Sequence, residues 1–183
     1  MSVESIVAAS AGLTSGSLAL LAFGGDSFVE LLSSLAVLQY LRLLLNGTGE
    51  PSEAHGKQTE WVSALLLASL IPIIGLGAIY SFMVGVRPEA SLLGIGVSIG
   101  AMIIMPILWF EKRRIGKAAD CVPLSIDAVE SVTCFYMSVA LTLGLLVNYL
   151  WRISWIDYVA TAIILIFVAR EVIESVQEVR ENH

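Results

Sequence analysis

Apolar residues run through this chain in six blocks, at about residues 3–14, 17–45, 60–84, 90–110, 121–148 and 154–173. A membrane-crossing helix needs roughly 20 apolar residues. The pattern therefore predicts an all-α fold, a polytopic bundle of six transmembrane helices with a short first helix, forming a single domain over residues 1–183. The breaks between blocks are short. Asn46-Gly47-Thr48-Gly49-Glu50-Pro51 is rich in turn residues, Val86-Arg87-Pro88-Glu89 reads as a hairpin loop, and Glu111 to Lys117 reads as a basic loop. Pro72 inside the third block predicts a kink near Leu70. Gly96 and Gly100 in the fourth offer a small-residue face for close helix packing. The stretch from Arg170 to Arg180 extends the last helix into water.

Polar residues inside the blocks carry the chemistry. Asp26 and Glu30 stand four residues apart in the second block, so they share one helix face. An ionised side chain near the bilayer centre costs at least ~2.5 kcal/mol, and two on one face call for a cation, water or a proton. The other reading makes Gly24-Gly25 a turn and places both acids at the water interface. The fifth block holds Asp127, Glu130 and Cys134 at positions i, i+3 and i+7, again one face, with Asp120 a heptad earlier near the mouth. The cost of showing these groups to lipid predicts that blocks two and five lie side by side with their polar faces meeting.

Asp26, Glu30, Glu130 and Cys134 together supply four donors for a divalent ion. Carboxylates alone suit Mg²⁺, Mn²⁺ or Ca²⁺, whereas a thiolate tilts the choice towards Zn²⁺. Each donor has a plainer role beside this one. Cys134 can be a small buried hydrophobe, Glu130 a hydrogen-bonded packing acid, and Asp127 an orienting group at the mouth rather than a ligand. A second cluster, Glu50, Glu53, His55 and Glu60, lies around the loop before the third block. There His55 is either an accessory metal group or a solvated side chain.

Composition narrows the class. Of 183 residues 57% are hydrophobic and 14% charged, which excludes an ordinary soluble domain. The net charge of −6 argues against nucleic acid as a partner. Lys and Arg are distributed unevenly. If the blocks alternate across the membrane, Arg42, Lys57, Lys112, Arg113, Arg114, Lys117, Arg170 and Arg180 share one side, and Arg87 and Arg152 the other. The positive-inside rule then puts the C-terminus in the cytoplasm, as expected for a multi-pass protein of the cell membrane. Cys121 and Cys134, about 20 Å apart along one helix, cannot pair with each other.

Three motifs resemble one family. Ser15-Gly16-Ser17-Leu18-Ala19 followed by Asp26-Ser27-Phe28-Val29-Glu30 resembles the second helix of the cation diffusion facilitators, which reads Gly-Ser-x-(Ala/Ser) and then Asp-Ser-x-x-Asp. His55-Gly56-Lys57-Gln58-Thr59-Glu60 is similar to the family's His-Gly-Lys-x-Glu lead into helix three, with one extra residue. Asp127-Ala128-Val129-Glu130-Ser131-Val132-Thr133-Cys134 resembles its helix-five motif Asp-Ala-x-His-x-x-x-Asp, and Asp157 matches an aspartate common in the family. The resemblance runs from Ser15 to about Gln177.

That resemblance implies a six-helix secondary transporter that exports Zn²⁺ or a similar divalent cation in exchange for protons, commonly as a homodimer. Its transport site, carried over, is Asp26, Glu30, Glu130 and Cys134. Glu130 stands where the family has histidine and Cys134 where it has the last aspartate, so the metal preference is open. The family's C-terminal cytoplasmic domain has no counterpart in these residues, so the expected likeness is to domain-less members. Helices one, two, four and five would rock against three and six. Two other classes remain beside it. An intramembrane hydrolase would need a His-Glu-x-x-His pair or a Gly-x-Ser-x-Gly elbow, and neither occurs. A membrane assembly or scaffold protein would pair its buried acids with a partner's basic residues.

Overall fold

A computed structural model describes residues 1–45, 53–89, 91–118 and 122–181. They form six helices: α1 (Ser2–Ser15), α2 (Leu18–Leu45), α3 (Glu53–Val84), α4 (Leu92–Ala118), α5 (Val122–Trp151) and α6 (Ile156–Glu181). Among the described residues, three stretches are long and apolar enough to cross a membrane by themselves: Leu18–Gln39, Leu92–Ala118 and Glu130–Trp151. Ala68–Val84 is a shorter apolar stretch. The molecule is a helical membrane bundle. At 14 residues α1 reaches only roughly 21 Å, less than the ~30 Å hydrocarbon layer.

The helices fall into two groups. α1, α2, α5 and α4 close a ring, each touching the next, and α3 and α6 form a pair laid against it through α2 and α5. α2 is the hub, packed on α1, α3, α5 and α6. Leu20, Phe23, Met105, Met137, Leu141, Leu145, Ile164 and Val168 fill the interior and are fully buried or nearly so. Ile73, Leu76 and Ile79 of α3 and Ile103 and Ile107 of α4 point outward, the apolar exterior expected where the solvent is lipid.

Two glycines decide how closely the neighbours approach α2. Gly24-Gly25 is not a turn, because α2 runs through it unbroken. A Cβ on Gly24 would come within 2.9 Å of the Ala9 backbone nitrogen, and one on Gly25 within 2.7 Å of the Leu70 side chain. The missing side chains thus let α1 and α3 close on α2 one turn or less before Asp26. The Ser5 hydroxyl uses that proximity to donate to the Gly24 carbonyl at 2.8 Å. In α4 the close approach falls on Gly94, where a Cβ would meet Leu20 at 2.7 Å. Gly96 and Gly100 have nothing within 4 Å, so they do not mediate packing inside this chain.

At one end of the bundle Asp157 ties α6 to the start of α2. The Ser17 hydroxyl donates to one of its carboxylate oxygens and the Leu18 N–H to the other, at 3.1 Å. Ser17 Oγ in turn accepts from the Leu20 N–H at 3.2 Å, the usual N-cap bond. A carboxylate at a helix N-terminus also faces the positive end of the helix dipole. The 86–89 loop is held at the same end. Asn148 donates to the Pro88 carbonyl (3.0 Å) and the Tyr158 hydroxyl to the Val86 carbonyl (2.7 Å).

Residues 111–117, read above as a loop, are helical. α4 runs through Pro106 and continues to Ala118, because Glu111, Lys112, Arg113 and Arg114 are good helix formers. Likewise α3 starts at Glu53, earlier than the apolar block suggests, since Glu53, Ala54, Lys57, Gln58 and Glu60 favour helix and carry it through Gly56.

Candidate metal site

Asp26 and Glu30 lie mid-bundle on α2, 3% and 5% exposed, on the face turned to α5 and α6. Their spacing keeps them one turn apart. α5 meets this face with a run of donors. The Ser131 hydroxyl donates to Glu30 Oε1 at 3.2 Å, and the Cys134 thiol lies close enough to Glu30 to interact with it. Cys134 itself is 1% exposed. Glu130 is half-buried and accepts from the Ser33 hydroxyl of α2 at 3.4 Å. Blocks two and five therefore do lie side by side, with their polar faces joined.

Two residues that the sequence reading did not single out complete the region. Glu171 of α6 shares a hydrogen bond with Asp26, a contact between two carboxyl groups that needs a proton between them, and it sits within electrostatic range of Glu30 and Glu130. Its second oxygen, Oε2, is buried without a hydrogen-bond partner. Lys112 of α4 reaches in from the ring, its Nζ 2.9 Å from Ser131 Oγ and 3.9 Å from Glu30 Oε1. Glu171 belongs to the water-bound extension of the last helix in the sequence pattern, and Lys112 to a basic run. Only helix periodicity carried through those stretches, with Glu171 fourteen residues beyond Asp157, hinted that either turns inward. Glu4 of α1 is also near, close enough to act electrostatically on Asp26 and Cys134.

Among the described residues the arrangement gathers four carboxyl groups in one region. Asp26, Glu30, Glu130 and Glu171 bring up to four negative charges, and burial without compensation is costly. Serine hydroxyls, a thiol, a shared proton and one ammonium group hold the pool together. Among the described residues no three His, Cys, Asp or Glu side chains converge tightly enough to enclose a metal ion. The donors are gathered in one region but not drawn into a cage, consistent with carboxylates that separate unless something positive lies between them. Asp120 and Cys121 lie outside the described residues, as do the side chains of His55 and Asp127.

Comparison with known sequences fits this chemistry. No curated protein sequence matches the chain significantly. The family model of the cation efflux transmembrane domain, however, matches residues 3–182, nearly the whole chain. The match spans all six helices, including both polar faces of the acid-rich region. The chain thus belongs to the cation efflux family, and is an integral membrane transporter of metal cations.

Proposed function

We propose that the protein exchanges a divalent metal ion, Zn²⁺ first among the candidates, for protons, with Asp26, Glu30, Glu130 and Cys134 as its ligands. Glu171, bonded to Asp26, lies within reach as a further oxygen donor. The observation that carries the reading is the carboxyl pair Asp26–Glu171 beside the thiol–carboxylate pair Cys134–Glu30, all on facing helices in an apolar bundle. Each of these pairs holds a proton on a group that a metal ion would bind in its deprotonated form. Binding therefore releases protons, and protons compete for the same atoms. That competition is the chemical basis of antiport.

The grouping of helices supports a route for alternating access. The ring of α1, α2, α5 and α4 carries most of the donors, and the α3–α6 pair touches it through α2 and α5. Rocking the ring against the pair would change the Asp26–Glu171 distance while leaving Asp26 and Glu30 in register. The C-terminus is taken to be cytoplasmic from the Lys and Arg asymmetry, and the working unit to be a homodimer. A reporter fused after His183 and crosslinking in lipid test those two points; an external C-terminus or monomers at functional density would overturn them.

The central experiment is Zn²⁺ uptake by proteoliposomes under an imposed proton gradient, with binding of Zn²⁺, Mn²⁺, Co²⁺, Cd²⁺ and Fe²⁺ to the purified protein measured alongside. Metal flux that follows the gradient and is lost in Asp26→Asn is expected. Binding of none of these ions would sink the reading, and flux indifferent to the gradient would remove the proton from it.

A further inference from the structure

The basic run on α4 does not act as a unit. Arg113 lies over the Trp109 ring, 5.4 Å from its centroid. Arg114 pairs with the exposed Glu111 at 3.0 Å, and Lys117 is exposed. Lys112 alone of these four turns into the bundle, its side chain 13% exposed. Its Nζ lies 2.9 Å from Ser131 Oγ and 3.9 Å from Glu30 Oε1, and Ser131 Oγ lies 3.2 Å from the same carboxylate oxygen. Ammonium, hydroxyl and carboxylate form a triangle at the α2–α4–α5 junction. We propose that Lys112 is the resident counter-cation of the transport site: its ammonium stands against Glu30 when metal is absent, and the divalent ion must displace it to bind.

The argument rests on charge and reach. A buried carboxylate keeps its charge only beside a cation or a dense set of donors. Among the described residues the Ser131 hydroxyl donates to Glu30, the Cys134 thiol lies close to it, and the Lys112 ammonium stands 3.9 Å away. A metal ion ligated by Glu30 and Cys134 would stand a few ångströms from that ammonium, and like charges at such a distance in a low-dielectric interior repel strongly. The lysine stem is long and flexible, so the ammonium can swing towards the end of α4 while its methylenes stay in apolar contact. Displacement exchanges one cation for another and breaks no covalent bond. It also gives a rule for selectivity. A single-charged ion offers Glu30 no more than the tethered ammonium already does, whereas a divalent ion does. The site would thus refuse Na⁺ and K⁺ without a size filter.

This inference depends on the metal-transport reading, and the experiment separates the two. Metal binding is measured by calorimetry on the purified full chain for the parent, Lys112→Met and Lys112→Arg, with Zn²⁺ and Mn²⁺ as probes. Lys112→Met should bind both about tenfold more tightly, equivalent to about 1.4 kcal/mol, and should become sensitive to competing K⁺. Lys112→Arg should stay within about threefold of the parent, since it keeps the charge. In the parent, acylation of the Lys112 amine, read by mass spectrometry against Lys117 as an internal reference, should rise when Zn²⁺ saturates the site. A folded Lys112→Met that binds metal no more tightly than the parent overturns the displacement and leaves the transport reading standing. Should Lys112→Met fail to fold, the labelling decides: a Zn²⁺-dependent rise supports displacement, and constant labelling overturns it. If the parent binds no metal, both readings fall together.

Discussion

Two regions of this bundle bury carboxylates, and they solve the same problem in opposite ways. At one end Asp157 has each oxygen bonded, one to the Ser17 hydroxyl and one to the Leu18 N–H at the start of α2. Donors match acceptors, and the group is a clamp. In the middle Asp26, Glu30, Glu130 and Glu171 gather several carboxyl groups within electrostatic range of one another. Their balance comes from a shared proton, a thiol and Lys112. A single carboxylate bonded at both oxygens has no use for a metal ion, whereas a cluster of carboxylates is stabilised by one. On the proposed reading, the gathering of several acids, not burial alone, separates the metal site from the clamp.

The largest test of this contrast is to neutralise an acid in the carboxylate cluster. Glu30→Gln should weaken Zn²⁺ binding at least about 100-fold, beyond the roughly 10–100-fold that loss of an outer partner costs, and abolish vesicle uptake. Calorimetry and flux check this, and near-parental affinity would show that Glu30 is not a ligand. Glu171→Gln should cost less, on the order of tenfold, because it removes one donor beside Asp26 and leaves the α2 pair intact. An unchanged titration would make Glu171 a packing residue.

Cys134→Asp sharpens the comparison through metal choice rather than strength. A hard oxygen in place of sulfur should lower Zn²⁺ and Cd²⁺ binding relative to Mn²⁺, because thiolates select softer ions. In the parent Co²⁺ should give an intense thiolate charge-transfer band that Cys134→Ala lacks. If Cys134→Ala binds Zn²⁺ as the parent does, the thiol is only filling space.

The smallest effect on metal binding should come from the other region. Asp157→Ala should change Zn²⁺ affinity by less than about threefold. It should still cost about 1–3 kcal/mol of stability by stranding the Ser17 and Leu18 donors, seen as a thermal midpoint lower by roughly 2–4 °C per kcal/mol. A variant that loses metal binding as completely as Glu30→Gln would erase the distinction between clamp and site.

Much of this was legible before any coordinates. The six apolar blocks, the shared face of Asp26 and Glu30 and the face shared by Glu130 and Cys134 all follow from periodicity. The basic run was misread as a loop because charge marks solvent on average, and a long lysine at the edge of a bundle is the exception. Gly24-Gly25 was open to two readings because glycine permits both a turn and a close helix contact. The choice between them lies in α1 and α3, which the local sequence does not contain.

The helices, and which of their faces carry acids, are written in the chain, since a 3.6-residue period is a local property of the backbone. The chain's match to the cation efflux domain also determined the family. What surrounds each acid is set by how the helices pack. Asp157 and Glu171 lie fourteen residues apart on one helix, yet one meets a helix N-terminus and the other a second carboxyl group. Lys112 joins the site because α4 packs on α5 at a height that brings its ammonium to Ser131. Such pairings depend on how helices cross, and residues distant in the chain become neighbours only when the whole bundle closes.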